Sequence, residues 1–216
     1  MLRKSLLYLI GLTLLGVCVT LLQQTNLGMS SWDAFYRNLY VGIPLEYKYL
    51  NPLIALLLIP IAYAIQKKKA SWKMLFPFVI SFYIGVVIDV LLLVIPSVAS
   101  MGLLLNLLYL TLSLVVCAIG LNLIIYCNFP LPALDELCYG IGVLLKTTYG
   151  KGKLIGEFLA LILAVIAGVA FRHYDVWFYI GPTTIVFAVA IGPMIDLFKK
   201  PMFARLEKNH ENRNLR

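Results

Sequence analysis

A short stretch of this chain occurs twice. Asn26–Asp33 reads NLGMSSWD and Asn128–Asp135 reads NFPLPALD, so each copy places an Asn and an Asp seven positions apart. A second stretch is also repeated, because Ile84–Asp89 (IGVVID) returns as Ile191–Asp196 (IGPMID). The matched order of these stretches indicates that the chain is built from two halves of similar design.

The composition indicates that both halves lie in a membrane. Of the 216 residues, 62% are apolar and only 13% are charged, which lies outside the usual range of soluble domains. A bilayer-spanning helix needs about 20 mostly apolar residues, so the long uncharged stretches predict an all-α membrane protein with six transmembrane helices. Their predicted bounds are Ser5–Gln23, Leu50–Gln66, Met74–Pro96, Leu103–Cys127, Leu154–Phe171 and Val176–Phe198.

The distribution of Lys and Arg predicts the orientation of these spans. If the amino terminus is cytoplasmic, all but three of the 18 cations lie on the cytoplasmic side, and the exceptions are Arg37, Lys48 and Arg172. This is the positive-inside pattern, and it predicts that both termini are cytoplasmic. The net charge of +8 therefore reflects topology and contact with membrane lipids, and we expect no nucleic-acid partner.

The repeat predicts an inverted architecture. Three spans per half is an odd number, so the second half enters the membrane from the opposite side, as in many transporters. We expect one transmembrane domain over 1–200, with repeats at about 5–96 and 103–198, and a basic cytoplasmic tail over 201–216. Each half also has a short segment that starts like a helix, at 30–43 and 132–146. These segments are either re-entrant helices or interfacial helices that lie on the membrane.

Matched polar residues are the candidates for binding a solute or ion. A charged side chain within a bilayer is costly unless it is paired or hydrated, so acids in spans are functional candidates. Asp89 is the strongest, because a rise of about 1.5 Å per residue puts it roughly 22 Å into its span. The full set of candidates is Asn26, Asp33, Asp89, Asn128, Asp135 and Asp196.

Several of these acids also have a purely structural interpretation. Asp33 follows Ser30 with the spacing of a helix-capping box, and it could also pair with Arg37 one turn later. Asp196 could pair with the lysines that follow it. Glu157 could form a neutralising pair with Lys153 at the level of the lipid headgroups.

Together the repeated motifs resemble those of a known family. Asn-x-Gly-x-Ser-Ser-Trp-Asp, Gly-x-x-Ile-Asp, Pro-x-x-Asp and Ile-Gly-Pro-x-Ile-Asp are similar to motifs of the YczE/YyaS/YitT group of bacterial integral membrane proteins, over about Leu6–Phe198. The resemblance implies a multi-span protein of the bacterial plasma membrane and brings no established substrate. Pro130 stands where the first half has Gly28, so we expect the two entry turns to differ in backbone conformation.

The favoured function is secondary transport of a small polar or charged solute, with intramembrane aspartates coupling transport to ions or protons. Two alternatives are a non-transporting accessory or substrate-binding subunit of a larger membrane complex, and a passive channel. An enzyme is not expected, because His173 and His210 both lie outside the predicted spans. No cofactor or metal is expected, and the expected partners are lipids, an unidentified solute, and either a second copy or a partner subunit.

Overall fold

The computed structural model describes residues 2–43, 47–69, 72–171 and 179–214. Arg172, His173 and the first residues of the sixth predicted span lie outside this part of the chain. The described residues form eight α-helices, a 3-10 helix at Trp72–Met74 and no β-strand, so the all-helical prediction is confirmed for them. The helices are α1 (Leu2–Gln23), α2 (Ser31–Gly42), α3 (Tyr47–Ile65), α4 (Leu75–Val94), α5 (Leu103–Cys127), α6 (Ala133–Leu144), α7 (Tyr149–Ala170) and α8 (Pro182–Asn214).

In the described part of the chain, five helices are long and apolar enough to cross a bilayer, namely α1, α4, α5, α7 and α8. The chain is therefore a multi-pass membrane protein. Helix α3 corresponds to the remaining predicted span, but its described apolar part, Pro52–Ile65, is shorter than a spanning helix needs. The sixth span stays a prediction.

The last helix continues past Phe198, the predicted end of the last span. Helix α8 continues to Asn214, so residues 201–214 extend the last span as a helix. Most residues after Pro201 are good helix formers, and this favours continuation beyond the apolar segment.

The outer surface of the bundle is apolar. On α4, large side chains at helical spacing are exposed together, at Val79, Phe82, Val86, Val90 and Leu93. Residues three and four apart lie on one face of a helix, so these side chains form a continuous stripe. Such a stripe suits contact with lipid hydrocarbon, as the prediction of lipid partners requires.

The packing of the helices brings the two halves together. Helix α1 packs along α5, α2 packs on α7, and α3 packs on α6. Helix α4 lies against α1, and α8 lies against α5. The short helices α2 and α6 have 12 residues each, or about 18 Å at 1.5 Å per residue, which is too short to cross a bilayer. Helix α2 packs on α7, and α6 packs on both α3 and α7.

The turns that lead into α2 and α6 differ, as the sequence predicted. Gly28 has a φ of +97°, a value that the proline ring at position 130 cannot adopt. The backbone around Gly28 contacts the start of α8, because the Met29 N–H donates to the Tyr179 carbonyl (3.1 Å) and the Thr183 N–H donates to the Leu27 carbonyl (3.0 Å).

Candidate functional site

A cavity of about 100 Å³ lies where the first turns of α2 and α6 meet the long helices. This is well above the roughly 10–15 Å³ that one water molecule needs, so the cavity has room for a small solute. Its polar lining comes from both short helices, from α7 and from one residue of α4, and most of its apolar lining comes from α1, α4 and α5. The polar lining residues are Ser30, Trp32, Asp33, Ser81, Asp135, Lys153 and Glu157.

Asp33 reaches the cavity from the start of α2 and is 3% exposed. The Ser30 hydroxyl oxygen accepts a hydrogen bond from the Asp33 N–H (3.2 Å), and the Ser30 hydroxyl also donates to the Asp33 carboxylate. Ser30 is therefore the N-cap of α2, and it fixes the position of Asp33 in the first turn. The same residue lines the cavity, so capping places a carboxylate in it.

Asp135 reaches the cavity from the start of α6 and is held by α7. Its Oδ1 accepts hydrogen bonds from Lys153 Nζ (2.8 Å) and from the Tyr149 hydroxyl (3.0 Å). Lys153 Nζ also lies 3.0 Å from Oε1 of Glu157, one turn later on α7. One buried ammonium group thus bridges two carboxylates, with Lys153 6% exposed and Glu157 1% exposed.

The burial of the Lys153–Glu157 pair differs from the sequence expectation of a pair at the headgroup level. Two glycines on α7 explain the difference. A Cβ atom on Gly152 would lie 2.4 Å from the Cys138 carbonyl oxygen, and one on Gly156 would lie 2.3 Å from Cys138 Sγ. Because neither position has a side chain, α6 lies directly against α7 and covers the pair.

Lys153 and Glu157 were not among the predicted site residues, although the sequence contains a signal for them. Both charges share an otherwise apolar helix with Gly150, Gly152 and Gly156. Small residues at such spacing mark the face of a membrane helix that packs closely on a neighbour. Charges on or next to that face are expected to be buried and to need partners.

Asp89 and Asp196 do not line this cavity. The Asp89 side chain is exposed on the outer face of α4, while its neighbour Ile88 is buried and lines the cavity. Asp196 is half-buried on α8, and its Oδ2 accepts a hydrogen bond from the Thr148 hydroxyl (2.6 Å). Both remain predicted site residues, outside the cavity that joins Asp33 and Asp135.

The two matched asparagines are also apart from the cavity. Both have exposed side chains, and the Asn26 N–H donates to the side-chain oxygen of Asn106 (3.0 Å). Asn128 ends α5 in the left-handed conformation, with a φ of 57°, which asparagine tolerates better than most residues. These contacts give both residues a role at the ends of helices.

A second polar cluster joins α6 to the segment after α3. Glu136, which is 4% exposed, lies 2.9 Å from Lys68 Nζ and accepts a hydrogen bond from Gln66 Nε2 (3.0 Å). The Lys68 ammonium group also lies over the ring of Tyr139, 5.8 Å from its centroid. This cluster shares α6 with Asp135 and contributes no residue to the cavity.

The cavity contains acids without a metal-binding arrangement. Among the described residues, no group of three His, Cys, Asp or Glu side chains is placed to hold a metal ion. The geometry instead provides two carboxylates and an indole at the starts of the two short helices, and a third carboxylate and one ammonium group on α7. Such a site can exchange protons or hold a small charged solute.

A protein-family profile described as a family of unknown function (DUF6198) matches residues 2–200, so the chain belongs to that family. No curated protein and no solved structure matches the chain. The resemblance to the YczE/YyaS/YitT group stays a prediction.

Proposed function

We propose that the protein is a secondary transporter of a small polar or charged solute, which uses buried acids of the cavity to couple transport to ions or protons. One observation carries the proposal. Asp33 and Asp135 come from matching positions in the two halves, and both line one cavity together with Lys153 and Glu157. Transporter sites are commonly built in this way, from the ends of short helices at the interface between two repeats.

The helix packing supports an inverted repeat in which the four helices from α1 to α4 are equivalent to the four helices from α5 to α8. Exchanging the two halves converts the α2–α7 contact into the α6–α3 contact, and both contacts are present. The same exchange relates the contact of α1 with α4 to the contact of α5 with α8. It also relates the contact of α3 with α4 to the contact of α7 with α8, and all four contacts are present. Helix α1 packs on its own counterpart α5, which fits a pseudo-twofold axis between these two helices. Six spans with α3 included would complete this arrangement.

The burial of the short helices supports the re-entrant interpretation. Ser31, Trp32 and Asp33 at the start of α2 are all buried, as are Asp135 and Glu136 at the start of α6. A helix that lies flat on a membrane surface exposes its polar face to water. Together with the positive-inside pattern, this suits a bacterial plasma-membrane protein with both termini in the cytoplasm.

The apolar lining favours a carrier over a passive channel. Channels conduct through a continuous polar or water-filled path. Here the cavity is bordered by Leu15, Ile84, Leu121 and Phe187 in addition to its acids. Such apolar walls favour a carrier, in which movement of the helices would expose the site to either side.

Reconstituted protein tests the proposal. The purified chain is placed in sealed vesicles with a pH-sensitive dye inside, and small cations, amino acids, organic anions and sugars are added outside. We expect at least one solute to move protons, at a rate reduced at least tenfold in Asp135→Asn. Glu207→Gln, at an exposed position on α8, is the matched acid control. If correctly inserted protein moves no solute and no protons, the accessory-subunit function replaces transport.

A further inference from the structure

Two cysteines meet in the wall of the cavity. Cys18 lies on α1 and Cys117 lies on α5, and both residues line the cavity. The Cys18 side chain is in hydrogen-bonding contact with the Cys117 side chain. Both residues are free thiols, and they are almost fully buried, at 2% and 6% exposure. Coupling of transport to the acids of the cavity uses neither thiol, so the pair has no role in the proposed function.

The packing of α1 on α5 explains why the two thiols meet. A Cβ atom on Gly11 would lie 2.8 Å from the Ile124 side chain, and one on Gly120 would lie 3.5 Å from the Leu15 side chain. Later residues of α1 therefore contact earlier residues of α5, so the two helices are antiparallel. The next turn of each helix in this direction carries the two cysteines. Because the glycines let the helices approach closely, two short side chains reach each other across the interface.

A pair of thiols is a ligand set for one class of metal ion. Thiolate sulfur is a soft ligand that favours Cu⁺, whereas Mg²⁺ and Ca²⁺ favour oxygen ligands. Zinc sites in proteins usually have four ligands, and among the described residues no group of three His, Cys, Asp or Glu side chains is placed to hold a metal ion. Cu⁺ and Ag⁺ have filled d shells and accept two sulfur ligands in a line. For these ions a pair of cysteines is enough.

The surroundings of the pair also suit a soft ion. Leu22 and Leu121 lie about one turn from the cysteines on the same helices and line the same cavity. Hard ions keep a shell of water or oxygen ligands, which these aliphatic side chains cannot supply. The bonds of a soft ion to sulfur are largely covalent, so such an ion loses less when it leaves water. The cavity volume of about 100 Å³ is ample for one bare ion.

We propose that Cys18 and Cys117 form a binding site for one soft monovalent metal ion, Cu⁺ or Ag⁺. When the ion binds, the S–H bond of each cysteine breaks, each sulfur forms a bond to the ion, and two protons leave to water. No electron is transferred, so the step needs no oxidant or reductant. The bound ion links α1 directly to α5. This inference goes beyond the proposed transport function and does not depend on it.

Competition for Cu⁺ tests the site in the purified full chain in detergent. Ascorbate and the exclusion of air keep copper monovalent, and bicinchoninate serves as a coloured competitor that removes Cu⁺ from single thiols. Addition of the natural protein should bleach the colour of the Cu⁺–bicinchoninate complex. We expect about one Cu⁺ per chain, because the two thiols act together as one ligand set.

Serine variants identify the ligands. Cys18→Ser and Cys117→Ser should each weaken Cu⁺ binding by more than about a hundredfold, since one sulfur atom is too few for a two-coordinate site. Cys127→Ser is the matched control, because Cys127 is also buried but lies outside the cavity, and its thiol donates to the Lys4 carbonyl as a serine hydroxyl can. The control should bind Cu⁺ like the natural protein.

X-ray absorption at the copper edge tests the same assignment without any variant, in case the serine variants do not fold. The natural protein with one bound Cu⁺ should show two sulfur neighbours and no oxygen or nitrogen neighbour. Failure to compete with bicinchoninate, a copper ion with oxygen or nitrogen ligands, or full binding by folded Cys18→Ser would overturn the proposal. Because binding is measured in detergent, a failure of solute transport in vesicles would leave this result unchanged.

Discussion

Replacing Lys153 by methionine removes the one ammonium group among the described residues that line the cavity, while keeping most of the side-chain length. The lost contacts are those to Asp135 at 2.8 Å and to Glu157 at 3.0 Å. Lys153 is 6% exposed, so water cannot easily replace it. Removing one partner of a buried ion pair typically costs about 3–5 kcal/mol, because it leaves an uncompensated buried charge.

This cost should appear as a lower melting temperature. In a chain of this size, 1 kcal/mol corresponds to a shift of roughly 2–4 °C, so Lys153→Met should melt roughly 6–20 °C below the natural protein at pH 7.5 in detergent. Lys151→Met is the matched control, because Lys151 lies on the same turn of α7 and is exposed. The control should melt within a few degrees of the natural protein.

A second substitution tests whether the lost stability comes from charge. The double variant Lys153→Met/Glu157→Gln also removes the Glu157 carboxylate, which has lost its ion-pair partner. Asp135 still accepts a hydrogen bond from the Tyr149 hydroxyl and still lies at the N-terminus of α6. We therefore expect the double variant to recover part of the lost stability, as residues in one ion-pair network do not behave additively. Equal melting of Lys153→Met and Lys151→Met, or no recovery in the double variant, would refute the assignment of a buried ion-pair network.

Two further predictions concern helix packing and Asp89. Gly152→Ala should lower the free energy of unfolding by about 1–3 kcal/mol, because its Cβ would overlap the α6 backbone. Gly140→Ala is the control, because its Cβ would come no closer than 3.3 Å to a neighbour, and it should lower the melting temperature less in the same assay. Asp89→Asn should leave solute-driven proton movement by the reconstituted protein unchanged, since the Asp89 side chain is exposed outside the cavity. A rate at least tenfold slower in sealed vesicles would return Asp89 to the transport site.

The membrane class and the location of the short helices could be predicted from the sequence, because both depend on local information. Composition decides whether a segment suits hydrocarbon or water, and the start of a helix depends on a few neighbouring residues such as Ser30. The matched copies then made Asp33 and Asp135 candidates together. The structure brings these two acids into one cavity.

The roles of the remaining charges were decided only by the tertiary structure. Helix α4 is mostly apolar and Asp89 is its one charged residue, so its sequence has little periodic pattern to show which face points inward. Successive helical residues are about 100° apart, and this places Ile88 in the cavity and Asp89 on the outer surface. Lys153 looked like one of the cytoplasmic cations that set the topology, and only the packing of α6 on Gly152 and Gly156 buries it. The sequence by itself determined which segments are helices suited to a membrane, whereas the rotation and contact of those helices, which depend on residues far apart in the chain, decided which charges share the cavity.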